Sequence, residues 1–225
     1  MGALEKAQKH FRGRGLAEGA RSLATDLKGT LTREREAILL AVDLTDPKNR
    51  RRPKDSGITL SVFPGERWGQ LREMLRLEAP AEVARVEKRA RQGMSGLIAW
   101  EGEEPLGFVF WVAGSGAQPP VHPDLPWLGL RPGPDEVYCF DYFLKESARG
   151  KGATFVRAVQ ERHHQLGYRR AYGYVYADNT PALWLYRTTG WKEIGRVKEV
   201  RWLERVVFVD GAPYWMEAHR RRRLG

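Results

Sequence analysis

Apolar residues recur along the chain with two different spacings, and the changes between them fall at clusters of glycine, proline and charged residues. Within residues 16–27 the apolar positions repeat with the period of a helix, and residues 37–44 (AILLAVDL) form a run typical of a strand. Residues 45–57 are polar, basic and proline-bearing, which favours a linker. We therefore predict that residues 1–56 form an N-terminal extension with a helix, a strand and a linker.

The pattern after residue 57 predicts one larger domain of strands and helices. Residues 58–63 alternate as a strand does, and two amphipathic helices follow on either side of Ala79-Pro80. Two further strands flank the turn Glu101–Glu104, as in a hairpin. Residues 114–135 hold six of the chain's 13 prolines, so we expect a loop there, and loops of this length are more often functional or disordered than neutral.

A second group of elements completes this domain. Residues 136–144 (EVYCFDYFL) are mostly apolar and aromatic, which predicts a central buried strand, and the helix after it ends at Gly167. A strand at 170–177, a helix with Thr180 at its N-cap and two final strands give the order β-α-α-β-β-β-α-β-α-β-β. The hairpins and the two strand–helix–strand crossovers predict an α/β (α+β) fold over residues 57–218, with a mixed central sheet flanked by helices.

Charge is concentrated at the two ends of the chain. The net charge is +10; residues 1–56 hold 13 basic and 8 acidic side chains, and Arg220–Arg223 add four arginines in a basic tail, residues 219–225. These ends could contact nucleic acid, an anionic surface or an acidic polymer, or they could form a solvated surface. Because the body between them is almost neutral, we do not expect specific nucleic-acid binding as the main function.

The sequence contains no run of 18 apolar residues, so no membrane span is predicted. The first 15 residues lack the apolar stretch of a secretory signal. The single cysteine, Cys139, excludes an intrachain disulfide. We therefore expect a cytoplasmic protein that makes at most weak contact with anionic surfaces.

The first candidate for chemistry is the turn Arg149-Gly150-Lys151-Gly152, between the buried strand and a helix. A glycine turn at a helix N-terminus directs unpaired backbone N–H groups at one point, and the helix dipole adds positive charge there. The turn therefore predicts an anion site, most naturally for phosphate. Its spacing excludes the Walker A pattern, and Phe155 stands where the dinucleotide fingerprint needs a glycine. On the local sequence alone, an ordinary tight turn is the alternative.

The residues around and beyond this turn resemble the GNAT superfamily of acyl-CoA-dependent N-acyltransferases. Five features match the family in order and spacing: the strand run ending Phe143-Leu144, the turn Arg149 to Ala153, Asn179 after a strand, Tyr186 seven residues later, and the pair Gly190-Trp191. The resemblance is specific over about 136–196 and extends by element order over about 57–218. One position departs from the pattern, because Thr154 stands where a glycine or alanine is usual. A threonine N–H can still donate, so we expect a small local effect.

The resemblance implies a mostly antiparallel sheet, acetyl-CoA or another acyl-CoA as co-substrate, and no metal. The backbone of the glycine turn would bind the pyrophosphate, and the residues involved would be Arg149, Gly150, Lys151, Gly152, Ala153 and Thr154. The pantetheine arm would lie along Phe143 and Leu144, whose side chains are also expected to pack in the core. Asn179 would hydrogen-bond the arm or brace the local backbone; the alternative is an Asx turn before the helix.

The resemblance also implies direct transfer in a ternary complex. A neutral amine attacks the thioester carbonyl, and a backbone N–H near Leu144 stabilises the oxyanion. Tyr186 would protonate the thiolate that leaves. The alternative for Tyr186 is a packed aromatic side chain.

The general base is ambiguous. Glu136 and Asp141 are the candidates, and strand alternation predicts that they lie on opposite faces, with Asp141 on the face of Cys139 and Phe143. Either carboxylate could equally be a partnered or solvated acid. We interpret Cys139 as a small buried side chain rather than an acyl carrier, and His163, on the apolar side of its helix, as a packed histidine.

The acceptor is expected to be a primary amine. The N-terminal extension is similar to additions on bacterial family members tied to surface polysaccharide, which suggests an amino sugar or another biosynthetic small molecule. A protein N-terminus or lysine is the alternative. We expect the loop 114–135, with His122, Asp124 and Trp127, to border the acceptor groove. A non-catalytic acyl-CoA-binding module also stays open, and the tryptophan-rich final strands could form either a homodimer interface or an ordinary core.

Overall fold

The computed structural model describes residues 32–51, 57–63, 65–114, 122–202 and 205–213. The chain divides into two compact units: Ala37–Arg196, and Met1–Glu36 together with Val197–Gly225. This division does not coincide with the boundary predicted between residues 56 and 57. The helix predicted at 16–27 and the basic tail lie outside the described residues.

The unit Ala37–Arg196 is built on one sheet. Its strands are β1 (Thr32–Asp43), β2 (Ile58–Phe63), β3 (Ser95–Glu101), β4 (Glu104–Ala113), β5 (Glu136–Leu144), β6 (Arg170–Tyr176) and β7 (Lys192–Trp202), of which the first and last continue beyond the unit. They lie in the order β2-β3-β4-β5-β6-β1-β7. The pairs β2–β3, β3–β4, β4–β5 and β6–β1 are antiparallel, whereas β5 and β6 are parallel. The structure confirms the mixed, mostly antiparallel sheet.

Helices flank this sheet on both faces. They are α1 (Pro47–Arg50), α2 (Trp68–Glu78), α3 (Pro80–Arg91), α4 (Asp124–Leu128), α5 (Gly152–Gln165) and α6 (Thr180–Thr188). On one face, Phe155 of α5 packs against Tyr142 of β5, with ring centroids 4.7 Å apart. On the other face, Arg89 of α3 lies over the ring of Phe140, 5.1 Å from its centroid. The predicted order of elements after residue 57 is confirmed, with α4 as an addition.

Strand β1 is part of this central sheet rather than of a separate extension. Residues Ala37–Asp43 pair antiparallel with Arg170–Tyr176, and β1 lies between β6 and β7. Ile38, Leu40 and Val42 are buried in the main core. A continuous apolar run such as AILLAVDL is typical of a central strand that is buried on both faces of the sheet.

The proline-rich loop contains a short helix that the sequence did not predict. Helix α4 buries Trp127 and Leu128 and ends at Gly129, whose φ of +67° suits glycine. Residues 115–121 of the predicted loop lie outside the described residues. The helix brings Asp124 into the neighbourhood of β6, as described below.

The N-cap of α6 also differs from the prediction. Asn179, not Thr180, is the capping residue, and its Oδ1 accepts a hydrogen bond of 3.2 Å from the N–H of Ala182. Both residue types suit an N-cap, so composition alone did not discriminate between adjacent positions. Pro181 lies in the first turn, as predicted.

In the second unit, the later residues of β7 form an antiparallel ribbon with β8 (Arg205–Val209), which pairs with β9 (Ala212–Pro213). The predicted hairpin turn at Asp210-Gly211 is confirmed, and both residues have positive φ, +49° and +80°. The side chains of Trp202 and Trp215 lie outside the described residues.

Candidate active site

The site is organised by a bulge in strand β5. Phe143 pairs with Phe108 and Phe140 with Phe110, so that Asp141 and Tyr142 together oppose a single residue of β4. Asp141 has φ +49°, a conformation that non-glycine residues rarely adopt. The extra residue reverses the side-chain alternation of the strand at this point.

Strands β5 and β6 separate before the bulge is reached. Their parallel pairing covers Glu136–Tyr138 and Arg170–Tyr172. Beyond that stretch lies a cavity of about 250 Å³, lined by residues of both strands, of α6 and of α4. The cavity is lined from both faces of the sheet, and its two sides differ in chemistry.

The first side, called here the α5 side, is formed by Cys139, Tyr142, Ala182, Leu185 and Tyr186. Behind it, His163 of α5 is buried, and its Nδ1 is 3.8 Å from Sγ of Cys139. Burial raises the pKa of the Cys139 thiol to about 12. Burial first, and then the charge of the nearby Arg162, lower the pKa of His163 to about 3. Both groups are therefore neutral at neutral pH.

Tyr186 belongs to this side. Its ring is 5.0 Å from Trp191 and 6.2 Å from Tyr142, both in edge-on contact. Burial first, and then the neighbouring Cys139, raise the pKa of the Tyr186 hydroxyl above its ordinary value. The hydroxyl thus carries its proton at neutral pH and is able to donate it.

The second side, called here the α3 side, is formed by Asp124, Tyr138, Phe140, Asp141 and Tyr174. Asp141 faces α3, and its Oδ2 accepts a 2.6 Å hydrogen bond from Nε of Arg89. Arg85 approaches its other oxygen at 4.0 Å. The prediction that Asp141 shares a face with Cys139 is therefore wrong, because simple alternation does not account for the bulge.

Asp124 reaches the same side from α4. Its Oδ1 accepts a hydrogen bond from Nε1 of Trp127 (3.0 Å), and its Oδ2 accepts one from the hydroxyl of Tyr174 (3.2 Å). His122 lies 3.6 Å away, but burial and the charge of Arg89 lower its pKa to about 4, against a smaller raising effect of Asp141. His122 is thus uncharged at neutral pH. The expectation that this loop borders the cavity agrees with the position of Asp124.

Glu136, the other candidate base, does not line the cavity. Its carboxylate accepts hydrogen bonds from the N–H of Gly133 (2.7 Å) and the hydroxyl of Tyr172 (2.9 Å), and Arg170 lies 3.4 Å away. Asp141 lies five positions further along the strand, a distance of about 16 Å at the usual rise of a strand. The structure therefore brings Asp141 to the cavity, whereas Glu136 braces the base of β5.

The glycine turn lies between β5 and α5. A 3₁₀ segment, Glu146–Lys151, leads directly into α5, and no side chain caps the N-terminus of that helix. A Cβ built on Gly150 would meet no atom within 4 Å, so there is open space above the turn. This arrangement fits a phosphate bound by backbone N–H groups.

Both basic side chains of the turn are paired with carboxylates. Arg149 contacts Glu146 at 3.2 Å on the surface, and Lys151 contacts Glu101 at the end of β3. Their charges are partly compensated by these partners. The backbone and the helix dipole, rather than the side chains, are thus the principal source of positive potential at the turn.

The remaining predicted cofactor residues are Phe143 and Leu144, at the end of β5, and Asn179, at the start of α6. Phe143 stacks on Phe108 with centroids 5.4 Å apart, and Leu144 packs against the main core. A Cβ on Gly107 would lie 2.2 Å from the carbonyl oxygen of Phe143, so β4 approaches this strand end closely. Asn179 lines the cavity with its side chain engaged as the cap of α6.

Three residues of the α3 side were not singled out from the sequence: Tyr138, Phe140 and Tyr174. They lie in strands β5 and β6, whose many aromatic residues are typical of an ordinary hydrophobic core. The hydroxyl of Tyr138 is buried without a hydrogen-bond partner among the described residues. Only the aromatic richness of these two strands could have drawn attention to them.

The chain is similar in sequence to a known acetyltransferase. The chain is 28% identical over 178 residues to a mycothiol acetyltransferase of Clavibacter sepedonicus, a match that covers 77% of this chain and 56% of that protein. The chain thus spans about half the length of this curated relative. No helix among the described residues is long and apolar enough to cross a membrane.

Solved structures share the fold at low sequence identity. One is a glucosamine N-acetyltransferase region related to GCN5 in a fungal multi-domain β-N-acetylglucosaminidase, with TM-score 0.56, 16% identity and coverage of 80% of this chain and 22% of that chain. Another is a GNAT acetyltransferase of Colwellia psychrerythraea, with TM-score 0.53, 11% identity and coverage of 83% and 63%. The sequence model of the acetyltransferase (GNAT) family matches residues 66–191, which is more than half of the chain, and the protein therefore belongs to the GNAT family.

Proposed function

We propose that the protein transfers an acetyl or other short acyl group from coenzyme A to a primary amine, by direct attack within a ternary complex. The observation that carries this proposal is the cavity at the separation of β5 and β6, which is lined from both faces of the sheet. An acyl donor entering from the α5 side and an amine entering from the α3 side would meet there. Family membership supports the reaction class.

Binding of the donor would rest on the chain's own backbone. The uncapped N-terminus of α5 and the open space above Gly150 would hold the pyrophosphate. The strand end at Phe143 and Leu144 would pair with the pantetheine arm, as an added strand does. Asn179 would brace this region by fixing the start of α6.

Two side chains would manage protons during transfer. Tyr186 keeps its proton at neutral pH and would give it to the departing thiolate. A carboxylate on the α3 side would receive the proton that the amine loses. Asp141 is one candidate, and Nε of Arg89 already donates a hydrogen bond of 2.6 Å to its carboxylate.

For the acceptor we propose an amino sugar or another small biosynthetic amine. The fungal structural neighbour is described as a glucosamine N-acetyltransferase, and the curated relative as a mycothiol acetyltransferase. The aromatic rings on the α3 side suit the apolar face of a sugar or a similar flat body.

The test is calorimetric titration with acetyl-CoA, followed by an assay of coenzyme A release with a panel of primary amines that includes glucosamine. Gly150→Glu should weaken acetyl-CoA binding at least 100-fold, because it puts a carboxylate where the phosphate would lie. Gly69→Glu is the matched control, since Gly69 is exposed on α2 and its Cβ would also meet open space.

Retained binding in Gly150→Glu would refute the phosphate site. Binding of acetyl-CoA without turnover of any amine would instead favour a non-catalytic acyl-CoA-binding module.

A further inference from the structure

We propose that Asp124 binds the ammonium group of the acceptor, so that the α3 side of the cavity is selective for a cationic amine next to an aromatic or otherwise flat apolar body. This inference rests on the proposed function, because it concerns the acceptor half of the same cavity. It starts from a difference between the two carboxylates that line that half.

The charge of Asp141 is already compensated. Its carboxylate is held by Arg89 at 2.6 Å and approached by Arg85 at 4.0 Å. A bound ammonium would meet not only this carboxylate but also the two guanidinium groups behind it. Repulsion from these groups makes Asp141 a poor primary site for a cation.

The charge of Asp124 has no such compensation. Among the described residues, the basic group near it is His122, which is uncharged at neutral pH because its pKa is about 4. Its two hydrogen bonds come from neutral donors, Nε1 of Trp127 and the hydroxyl of Tyr174. A carboxylate has about four acceptor positions, so it can accept further N–H donors.

A second, independent observation points to a ligand. The side chain of Tyr138 is completely buried and lines the cavity, yet its hydroxyl has no hydrogen-bond partner among the described residues. Burial first, and then the charge of Asp124, raise the pKa of this phenol well above its ordinary value. A buried polar atom without a partner is costly, and a ligand that supplies one would remove that cost.

An ammonium group supplies what both residues lack. It carries three N–H donors and one positive charge, so one N–H would reach a carboxylate oxygen of Asp124 and another the phenol oxygen of Tyr138. The rings of Tyr174 and Phe140 on the same side would cover the carbon body of the ligand. A neutral hydroxyl in place of the ammonium would leave the charge of Asp124 unpaired.

The substitution Asp124→Asn tests the negative charge of this side chain without changing its size. An asparagine keeps the volume, accepts from Nε1 of Trp127 through its oxygen, and donates to the Tyr174 oxygen through its amide nitrogen. Both existing contacts thus persist, and only the negative charge is lost. Asp135→Asn is the matched control, because Asp135 is half-exposed and does not line the cavity.

The experiment measures binding of 2-phenylethylamine and of 2-phenylethanol to the full chain at pH 7, where an alkylamine is protonated. The amine should bind at least tenfold more tightly than the alcohol. Asp124→Asn should weaken binding of the amine by about 10- to 100-fold, as expected for loss of a hydrogen bond to a charged group, and leave the alcohol unaffected. Asp135→Asn should leave both unchanged.

Three results would overturn the inference: no binding of the amine to the unaltered protein, equal binding of the amine and the alcohol, or equal binding of the amine to Asp124→Asn. The comparison of amine with alcohol uses only the unaltered protein. It therefore tests the selectivity for a cation even if Asp124→Asn does not fold. Turnover with acetyl-CoA is measured separately. Amine binding without turnover would count against the proposed transferase activity while supporting the ammonium site.

Discussion

The two sides of the cavity differ in how they are built. The α5 side is neutral, since Cys139, Tyr142 and Tyr186 all keep their protons at neutral pH. The α3 side holds the carboxylates Asp124 and Asp141 within a wall of aromatic rings. A neutral wall suits an acyl thioester, and a negative wall suits an amine that arrives protonated. Under the proposed function, the α5 side would face the acyl donor and the α3 side would face the amine.

The largest expected effect is a pH dependence of stability, which comes from the buried histidine behind each side of the cavity. His163 lies behind the α5 side with a pKa of about 3, and His122 behind the α3 side with a pKa of about 4; burial is the main cause in both. Both pKa values lie below the usual 6.5, so the unfolded chain binds more protons than the folded chain when the pH falls below 6.5. Stability is therefore full above this pH and is lost as the pH falls towards 4 and then 3.

Urea unfolding at pH 7 and pH 5 should show a loss of about 4 kcal/mol if both histidines titrate in this way. His163→Gln and His122→Gln should each remove about half of the dependence, because a glutamine does not titrate. If one variant removes the whole pH dependence of stability, only the histidine replaced in that variant is responsible for it. A stability that is flat between pH 7 and pH 5 would contradict both assignments.

An intermediate effect concerns Tyr186, the proton donor proposed for the α5 side. Tyr186→Phe should lower kcat about 10- to 100-fold, since general acid catalysis contributes at least this much, while the Kd of acetyl-CoA changes little. Steady-state kinetics and calorimetry on the same preparation separate the two quantities. Tyr168→Phe serves as the control, because the ring of Tyr168 packs against His163 and the main core and does not line the cavity. An unchanged kcat would leave Tyr186 with a packing role.

The smallest expected effect concerns Cys139. Its pKa of about 12 keeps it a thiol, and its neighbour His163 is too weak a base to remove the proton. Cys139→Ala should therefore change kcat/KM less than about threefold, as expected for a packing residue beside the cavity. Mass spectrometry after incubation with acetyl-CoA should detect no acetylated enzyme. A stable adduct at Cys139 would replace direct transfer with a two-step mechanism.

The sequence predicted the glycine turn and the α5 side of the cavity better than the α3 side. The glycine turn was recognisable because a backbone anion site requires particular residues at fixed spacing, here Gly150 and Gly152 before a helix. Tyr186 was named because the resemblance to the family includes a tyrosine seven residues after Asn179. Such local constraints leave a signature in one short stretch of chain.

The α3 side left no comparable signature. Asp124 reaches the cavity through a short helix inside a proline-rich loop, and its orientation depends on Trp127 and on Tyr174 of a distant strand. The bulge at Asp141 depends on pairing with β4, which strand alternation alone does not reveal. Long-range pairing also explains why the position of β1 was not predicted.

The location of β1 has a consequence for biogenesis. During translation, the partner strand Arg170–Tyr176 emerges about 130 residues after Ala37–Asp43. At typical ribosomal rates this interval is about 10 s, during which an apolar strand stays without its neighbour. Because this pairing is distant in sequence, we expect folding to be slow. We also expect nascent-chain holdases to bind β1 until its partner strand is available.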